Sequence, residues 1–311
     1  MSDALPLRQL GPLTVSAVGL GCNNFGRALD REASTAVVHA ALDLGITLFD
    51  TADIYGGTDS EVFLGEALGR RRSEVVVATK FGEVPLSGGV RNASPPYVRA
   101  AVDASLQRLG TDWIDLYQLH FPDPATPIAD TLGALNEAVQ AGKVLHIGCS
   151  NFTQAMIREA DAAATGARFV TVQNEYSLLE RGPETDGVLE ECCRLGLGFL
   201  PYFPLAGGLL TGKYRGGMPS GARWTVQSGQ RRDQFVTERN FAVVEELWDW
   251  AVRKGRTMTE LAFGWLLQRP EVSSVIAGAT SSDQVAANVA AAGAGLTAEE
   301  IAELDAITAA R

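Results

Sequence analysis

Long apolar stretches are missing from this chain. No apolar run in its 311 residues approaches the ~20 needed to cross a bilayer, which excludes a membrane-spanning helix. The opening MSDALPLRQL has no charged-then-apolar pattern, so it does not read as a signal peptide. Cations are in deficit: 26 Lys and Arg stand against 37 Asp and Glu, a net charge of −11. General binding to nucleic acid or to an anionic membrane needs a basic surface and is argued against, although one local basic pocket is not. Cysteine is scarce, and Cys22, Cys149, Cys192 and Cys193 form no CxxC pair. Free thiols in a reducing, cytoplasmic setting are the expectation. No GxGxxG follows the first apolar run, which ends GLGCNNFG, and this weakens an open doubly wound sheet. No Ser–His–Asp arrangement and no cysteine nucleophile presents itself.

What is present is an alternation. Hydrophobic residues make up 46% of the chain, enough for a sizeable core. Eight short runs are apolar on both faces, as buried parallel strands are: Val15–Gly21, Leu48–Ala52, Val75–Phe81, Ile114–His120, Val144–Ser150, Phe169–Asn174, Gly198–Pro204 and Ser274–Gly278. Amphipathic stretches lie between them. Ala36, Val37, Ala40, Ala41 and Leu44 share a face of a helix opened by Asp30. Ser94 before Pro95 reads as an N-cap, and Thr257 with Glu260 and Thr297 with Glu300 read as capping boxes. Eight such units predict a (β/α)8 TIM barrel occupying residues 1–311 as one α/β domain. The segment LRQLGPLTVSAV reads as a β-hairpin turning at Gly11–Pro12 and closing the amino-terminal mouth. The connection from Ala206 to about Thr237 is long enough to cover a site. No partner-binding tail is evident, since the chain starts almost at the hairpin and ends in LDAITAAR.

Polar residues fall where the apolar runs end. Asp50 closes the second run, with Tyr55 just beyond. Lys80 sits at the end of the third, His120 of the fourth, Ser150 and Asn151 of the fifth, Gln173 and Asn174 of the sixth, and Tyr202 of the seventh. In a barrel these ends meet on the carboxyl-terminal rim. A buried ammonium needs a partner, and Asp50 on the neighbouring strand is the obvious one for Lys80. An ammonium near a phenol lowers its pKa, so Tyr55 is expected to act as a proton donor near neutrality. A neutral His120 would orient a carbonyl oxygen. Hydride from a nicotinamide would complete the reaction. His39 and His146 read as structural.

FDTADIYG, ATKFG, DLYQLH, GCSNF, VQNEYS, PLAGGLLTGKY and VIAGATSSDQVAANV, in that order over nearly the whole chain, resemble the aldo-keto reductases. The flavour is that of the bacterial general-reductase branch, which is also similar to potassium-channel β subunits. The resemblance implies a barrel that binds a nicotinamide cofactor without a Rossmann fold and reduces aldehydes and ketones. It assigns Tyr55 as general acid, tuned by Lys80 and Asp50, with His120 orienting the substrate. Ser150, Asn151 and Gln173 would hold the carboxamide, and Tyr202 would stack on the nicotinamide. Cys22, Phe203, Pro204, Leu205, Gly207, Leu210, Lys213, Gly278, Thr280, Gln284 and Asn288 complete the expected cofactor contacts. PLAGGLLTGKY nearly fits a nucleotide-triphosphate loop, but Tyr214 stands where Ser or Thr would bind magnesium. The resemblance has this loop wrap the cofactor pyrophosphate, with Lys213 supplying charge.

Two departures stand out. The seventh run continues Tyr202-Phe203-Pro204-Leu205 rather than Tyr-Ser-Pro-Leu. No Lys or Arg lies in residues 278–284, where relatives often carry one for the adenosine 2′-phosphate; the helix N-terminus at Ser282 could still attract that phosphate, and Arg215 or Arg223 from the long loop could reach it. NADP(H) is nonetheless expected ahead of NAD(H). Phe25, Phe121 and Trp224 are the expected substrate-pocket residues, suiting a moderately apolar small-molecule carbonyl compound. A redox-sensing regulatory subunit with slow turnover is the alternative. A hydrolase or lyase holding a metal on Asp50, Asp53 and His120 is the third reading, disfavoured by the Lys80 charge.

Overall fold

Ten strands organise residues 5–309, the part of the chain described by the computed structural model. Residues 1–4 of the N-terminal stretch, and Ala310 and Arg311 of the C-terminal one, lie outside it. The hairpin is β1 (Leu7–Leu10) and β2 (Leu13–Ser16), paired antiparallel across Gly11–Pro12, with Gly11 at φ +57°. The barrel strands are β3 (Val18–Gly21), β4 (Leu48–Asp50), β5 (Val76–Phe81), β6 (Ile114–Leu119), β7 (Val144–Ser150), β8 (Phe169–Glu175), β9 (Gly198–Tyr202) and β10 (Val275–Gly278). They run parallel in the order β10-β3-β4-β5-β6-β7-β8-β9. Phe199 in β9 exchanges backbone hydrogen bonds with Glu271 and Ser273 ahead of β10, nearly closing the ring. The first expected run, Val15–Gly21, is two elements. The chain leaves the hairpin at Ala17, whose N–H donates to the Pro6 carbonyl, before β3 begins.

Strand alternation builds the lumen in two tiers, because every second side chain points inward. The lower tier is Leu48, Ala78, Leu116, Leu200 and Ile276, and hairpin residues Leu10 and Val15 pack against it as a plug. Two residues further along the same strands stand Asp50, Lys80, Gln118 and Tyr202. Register locks the upper tier: Lys80 lies opposite Gln118, Gln118 opposite Gly148, and Ser150 opposite Gln173. Space is tight there, since a Cβ on Gly148 would come within 2.1 Å of Thr171 Oγ1 and 3.2 Å of the Gln118 side chain.

The capping boxes at Thr257/Glu260 and Thr297/Glu300 are both formed. Two local expectations differ. Ser94 occupies the cap position of Pro95–Leu109, but its hydroxyl donates to Asn92 Oδ1 and makes no cap hydrogen bond to the helix, whose first two residues, Pro95 and Pro96, have no N–H to give. In the helix Arg31–Asp43 the buried stripe is Ser34, Val37, Val38, Ala41 and Leu42; Ala36 and Leu44 are exposed. The larger Val38 and Leu42 take the core beside Val37 and Ala41, leaving Ala36 and Leu44 off the buried face. The long connection is folded rather than irregular. It contains the turn Ala206–Thr211 and the short helices Arg223–Val226 and Gln230–Phe235.

Candidate active site

A buried ion pair forms the floor of the carboxyl-terminal cup. Lys80 Nζ is 2.5 Å from Asp50 Oδ1 and also donates to the Thr51 carbonyl at 2.9 Å. The other carboxylate oxygen accepts from Gln173 Nε2 at 2.9 Å and Gln118 Nε2 at 3.3 Å. Lys80 is 1% and Asp50 3% exposed, so both charges are held by direct partners rather than by water. Burial opposes the Lys80 charge, but Asp50 and Tyr55 together outweigh it and the ammonium is held above its ordinary pKa.

Tyr55 stands on a turn the sequence makes possible with glycine. Gly56 and Gly57 have φ +60° and +70°, and a Cβ on Gly56 would sit 2.3 Å from the Phe25 carbonyl oxygen. The turn therefore seats against residues 25–26. Lys80 Nζ lies 5.1 Å from the Tyr55 ring centroid. Here the electrostatics differ from the sequence expectation. Burial raises the phenol's pKa, the ammonium lowers it and the Asp50 carboxylate raises it, and the net direction is upward. The phenol is thus neutral, with its proton in place, at physiological pH.

His120 follows β6, its ring 5.8 Å from that of Tyr55 and stacked on Phe121 at 4.6 Å. Burial, then Lys80 and Arg91, hold its pKa well below the imidazole range, so the ring is uncharged. Its Nδ1 is buried without a partner. Asn151, at φ +62°, donates to the His120 carbonyl at 2.9 Å and accepts from the Tyr202 hydroxyl at 2.8 Å. That fixes the Tyr202 ring on the cup wall.

These groups open into a cleft of about 950 Å³. Asp50, Tyr55, His120, Phe121, Ser150, Asn151, Gln173, Tyr202, Phe203, Pro204, Leu205, Gly207, Lys213, Gly278, Thr280, Gln284 and Asn288 all line it. Five expected site residues do not. Cys22 and Leu210 are fully buried in the core. Phe25 is buried too, and its backbone braces the Tyr55 turn. Trp224 is the anchor of the lid: Nε1 donates to the Ala206 carbonyl at 2.9 Å, its backbone N–H reaches the Tyr214 hydroxyl, and its ring stacks on Phe235. Lys80 lies beneath the cleft and acts through Asp50 and Tyr55. Of the two loop arginines, Arg223 lines the cleft, whereas Arg215 pairs with Glu245 and stacks on Trp248. Asp50, Asp53 and His120 do not converge, and among the described residues no cluster suits a metal ion.

The sequence reading missed Gln118, which the alternation of Gln118 and His120 in DLYQLH would have placed in the lumen. It also missed Asn23, Asn24 and Arg27, which line the cleft from the loop after β3 and carry no local signal beyond being polar. A nicotinamide dinucleotide fits what is present. The cleft runs from the Tyr55 floor to Asn288, its mid-wall is the glycine turn Gly207–Gly208 at positive φ, and its open charges are cationic. A side chain at Gly207 would strike the Trp224 indole at 2.5 Å, so glycine there lets the lid anchor pack against the back of the turn.

Comparison with known proteins agrees with this fold. The profile of the Aldo/keto reductase family matches residues 17–309. The chain is 34% identical over 309 residues to an L-glyceraldehyde 3-phosphate reductase of Escherichia coli O157:H7, covering 94% of this chain and 89% of that one. The counterpart from strain K12 is 33% identical with the same coverage. Among solved structures, an aldo-keto reductase from Bacillus halodurans in its holo form superposes with a TM-score of 0.83 at 33% identity, covering 97% and 96% of the two chains.

Proposed function

The chain belongs to the aldo/keto reductase family and is an oxidoreductase, and from that premise we propose that it reduces an aldehyde or ketone to the alcohol with Tyr55 as the proton donor. The observation that carries this reading is a phenol and an imidazole lining one cleft, with a buried ammonium–carboxylate pair beside the phenol. When bound, the nicotinamide supplies hydride to the carbonyl carbon. Tyr55 delivers its proton to the carbonyl oxygen as negative charge develops there. The raised pKa keeps the proton available beforehand; the nearby ammonium stabilises the phenolate left behind. Asp50, gripped by Gln118 and Gln173, fixes the ammonium and is a positioning residue. His120 faces the same space and orients the oxygen through its ring.

Ser150, Asn151 and Gln173 are assigned to the carboxamide end, with Tyr202 against the nicotinamide ring. Gln173 also donates to Asp50, so it would tie the cofactor pocket to the ion pair. NADP(H) is proposed ahead of NAD(H), supported by the cationic outer cleft despite the lack of Lys or Arg in residues 278–284. The substrate is a small carbonyl compound seated beside Phe121.

Tyr55→Phe tests the assignment. Turnover of 4-nitrobenzaldehyde with NADPH is expected to fall roughly 10²- to 10⁴-fold, while the quenching of tryptophan fluorescence by NADPH stays at wild-type affinity. Undiminished turnover removes Tyr55 as the acid.

A further inference from the structure

An active-site histidine normally has its ring plane fixed by a hydrogen bond at the nitrogen that does not meet the ligand. In His120 that nitrogen, Nδ1, is buried and has no such partner among the described residues. The imidazole is held by its faces and edges instead. Phe121 stacks on it with 4.6 Å between centroids and 19° between planes, and Tyr55 meets it edge-on at 5.8 Å and 79°. The Phe121 ring is in turn covered by a cation, with the Arg91 guanidinium carbon 3.5 Å from its centroid. At those two separations one face of a phenyl ring has no room for both planar groups. The guanidinium and the imidazole therefore sandwich it.

Arg91 is delivered by the loop after β5. Glu83 and Arg91 face each other there as an antiparallel bridge. The Val84 N–H donates to the Val90 carbonyl at 2.8 Å, and the Asn92 N–H to the Gly82 carbonyl at 3.0 Å. Arg91 Nη1 donates to Glu83 Oε2 at 2.7 Å, which steers the guanidinium. The Ala93 N–H donates to Asp123 Oδ2 at 2.9 Å, tying this loop to the segment that carries Phe121. Arg91 is not among the residues that line the cleft, so its route to the reacting atoms runs through the Phe121 ring. The charged groups that face the imidazole are Lys80 from β5 and Arg91 from the loop, and after burial both oppose its protonation.

We propose that Arg91 is a positioning residue for carbonyl reduction: it clamps the Phe121 ring, and through that ring it fixes the plane of the His120 imidazole against the substrate oxygen. This rests on the proposed function for the reaction, but the stack is measurable without it. Removing the guanidinium frees the Phe121 ring to turn, and the imidazole with it. The hydrogen bond from the imidazole is then misaimed at the oxygen where negative charge develops.

The test uses the full chain with Arg91→Gln, Arg91→Lys, Phe121→Leu and the double variant of Arg91→Gln with Phe121→Leu. Turnover of 4-nitrobenzaldehyde by NADPH is measured beside NADPH quenching of tryptophan fluorescence. The ring resonances of the histidines are followed by NMR against pH; the chain has three, and His120→Gln assigns the one that matters. Arg91→Gln is expected to lower kcat/KM about 10-fold, with NADPH affinity unchanged. Its His120 resonance should move, and its titration should shift to higher pH because a cation opposing protonation is gone. Arg91→Lys keeps the charge but not the planar stack, so the resonance and the rate should change while the titration stays near that of wild type. In the Phe121→Leu background Arg91→Gln should cost nothing further. A wild-type kcat/KM or an unmoved His120 resonance in Arg91→Gln overturns the proposal, as do equal fold-losses with and without Phe121. Should Arg91→Gln fail to fold, Arg91→Lys is judged by the same rate and resonance criteria. A wild-type protein that binds NADPH but reduces no carbonyl compound refutes the proposed function instead, and the stack is then judged on the His120 resonance alone.

Discussion

Asp53→Asn should make this protein more stable in alkali. Asp53 is 1% exposed, two residues before Tyr55, and its Oδ1 has no hydrogen-bond partner. The charged groups around it are mostly of its own sign. Glu61 is buried between Thr79 and Arg108, Glu83 adds a further negative charge, and Arg108 alone opposes them. The phenols of Tyr97 and Tyr117 also sense the Asp53 charge. Burial, then Glu61, raise the Asp53 carboxyl from 3.8 to about 8. The folded protein therefore keeps this proton up to about pH 8, while the unfolded chain releases it near 3.8. Between those values folding takes up a proton, so this site's contribution is fully present below the unfolded pKa. It is then lost at up to ~1.4 kcal/mol per pH unit as pH rises, for a total on the order of 5 kcal/mol. Asparagine resembles the protonated acid in shape and does not titrate. Urea denaturation of wild type and variant from pH 5 to 9 should show the variant's advantage growing with pH and levelling above about 8. Parallel pH profiles for the two proteins would refute the reasoning, because they would mean that Asp53 is already charged in the native state.

Two further substitutions probe the floor and the turn. Lys80→Met strands the Asp50 carboxylate and should cost roughly 3–5 kcal/mol in urea unfolding; adding Asp50→Asn should recover part of it, and a variant as stable as wild type would show that the pair is dispensable to folding. Gly56→Ala forces a Cβ toward the Phe25 carbonyl at positive φ and should cost about 2 kcal/mol or more, with turnover falling as Tyr55 shifts; unchanged urea midpoints would place the turn elsewhere.

Much of this was readable in the chain. Parallel strands buried on both faces write themselves as short apolar runs, so the barrel and its order followed from eight of them. The rim was readable because Asp50, Lys80 and His120 are expensive residues to place at the end of such runs. Reading failed where a position's role depends on what lies across space. Phe25 and Trp224 are aromatic near the site, but whether a ring faces ligand or core is decided by packing partners distant in sequence, such as the Gly56 turn for Phe25 and Ala206 and Phe235 for Trp224. The net direction of the Tyr55 pKa turned on how deeply the hydroxyl is desolvated, which sequence does not express.

The hydrocarbon plug has a consequence for chemistry at the other end of the barrel. Asp50 follows Leu48 by two positions, and Lys80 follows Ala78 by two, so a strand sliding by one pleat would thrust a charge against Leu10 and Val15. The oily base thereby indexes each strand to its neighbours and sets the height at which the reacting groups stand.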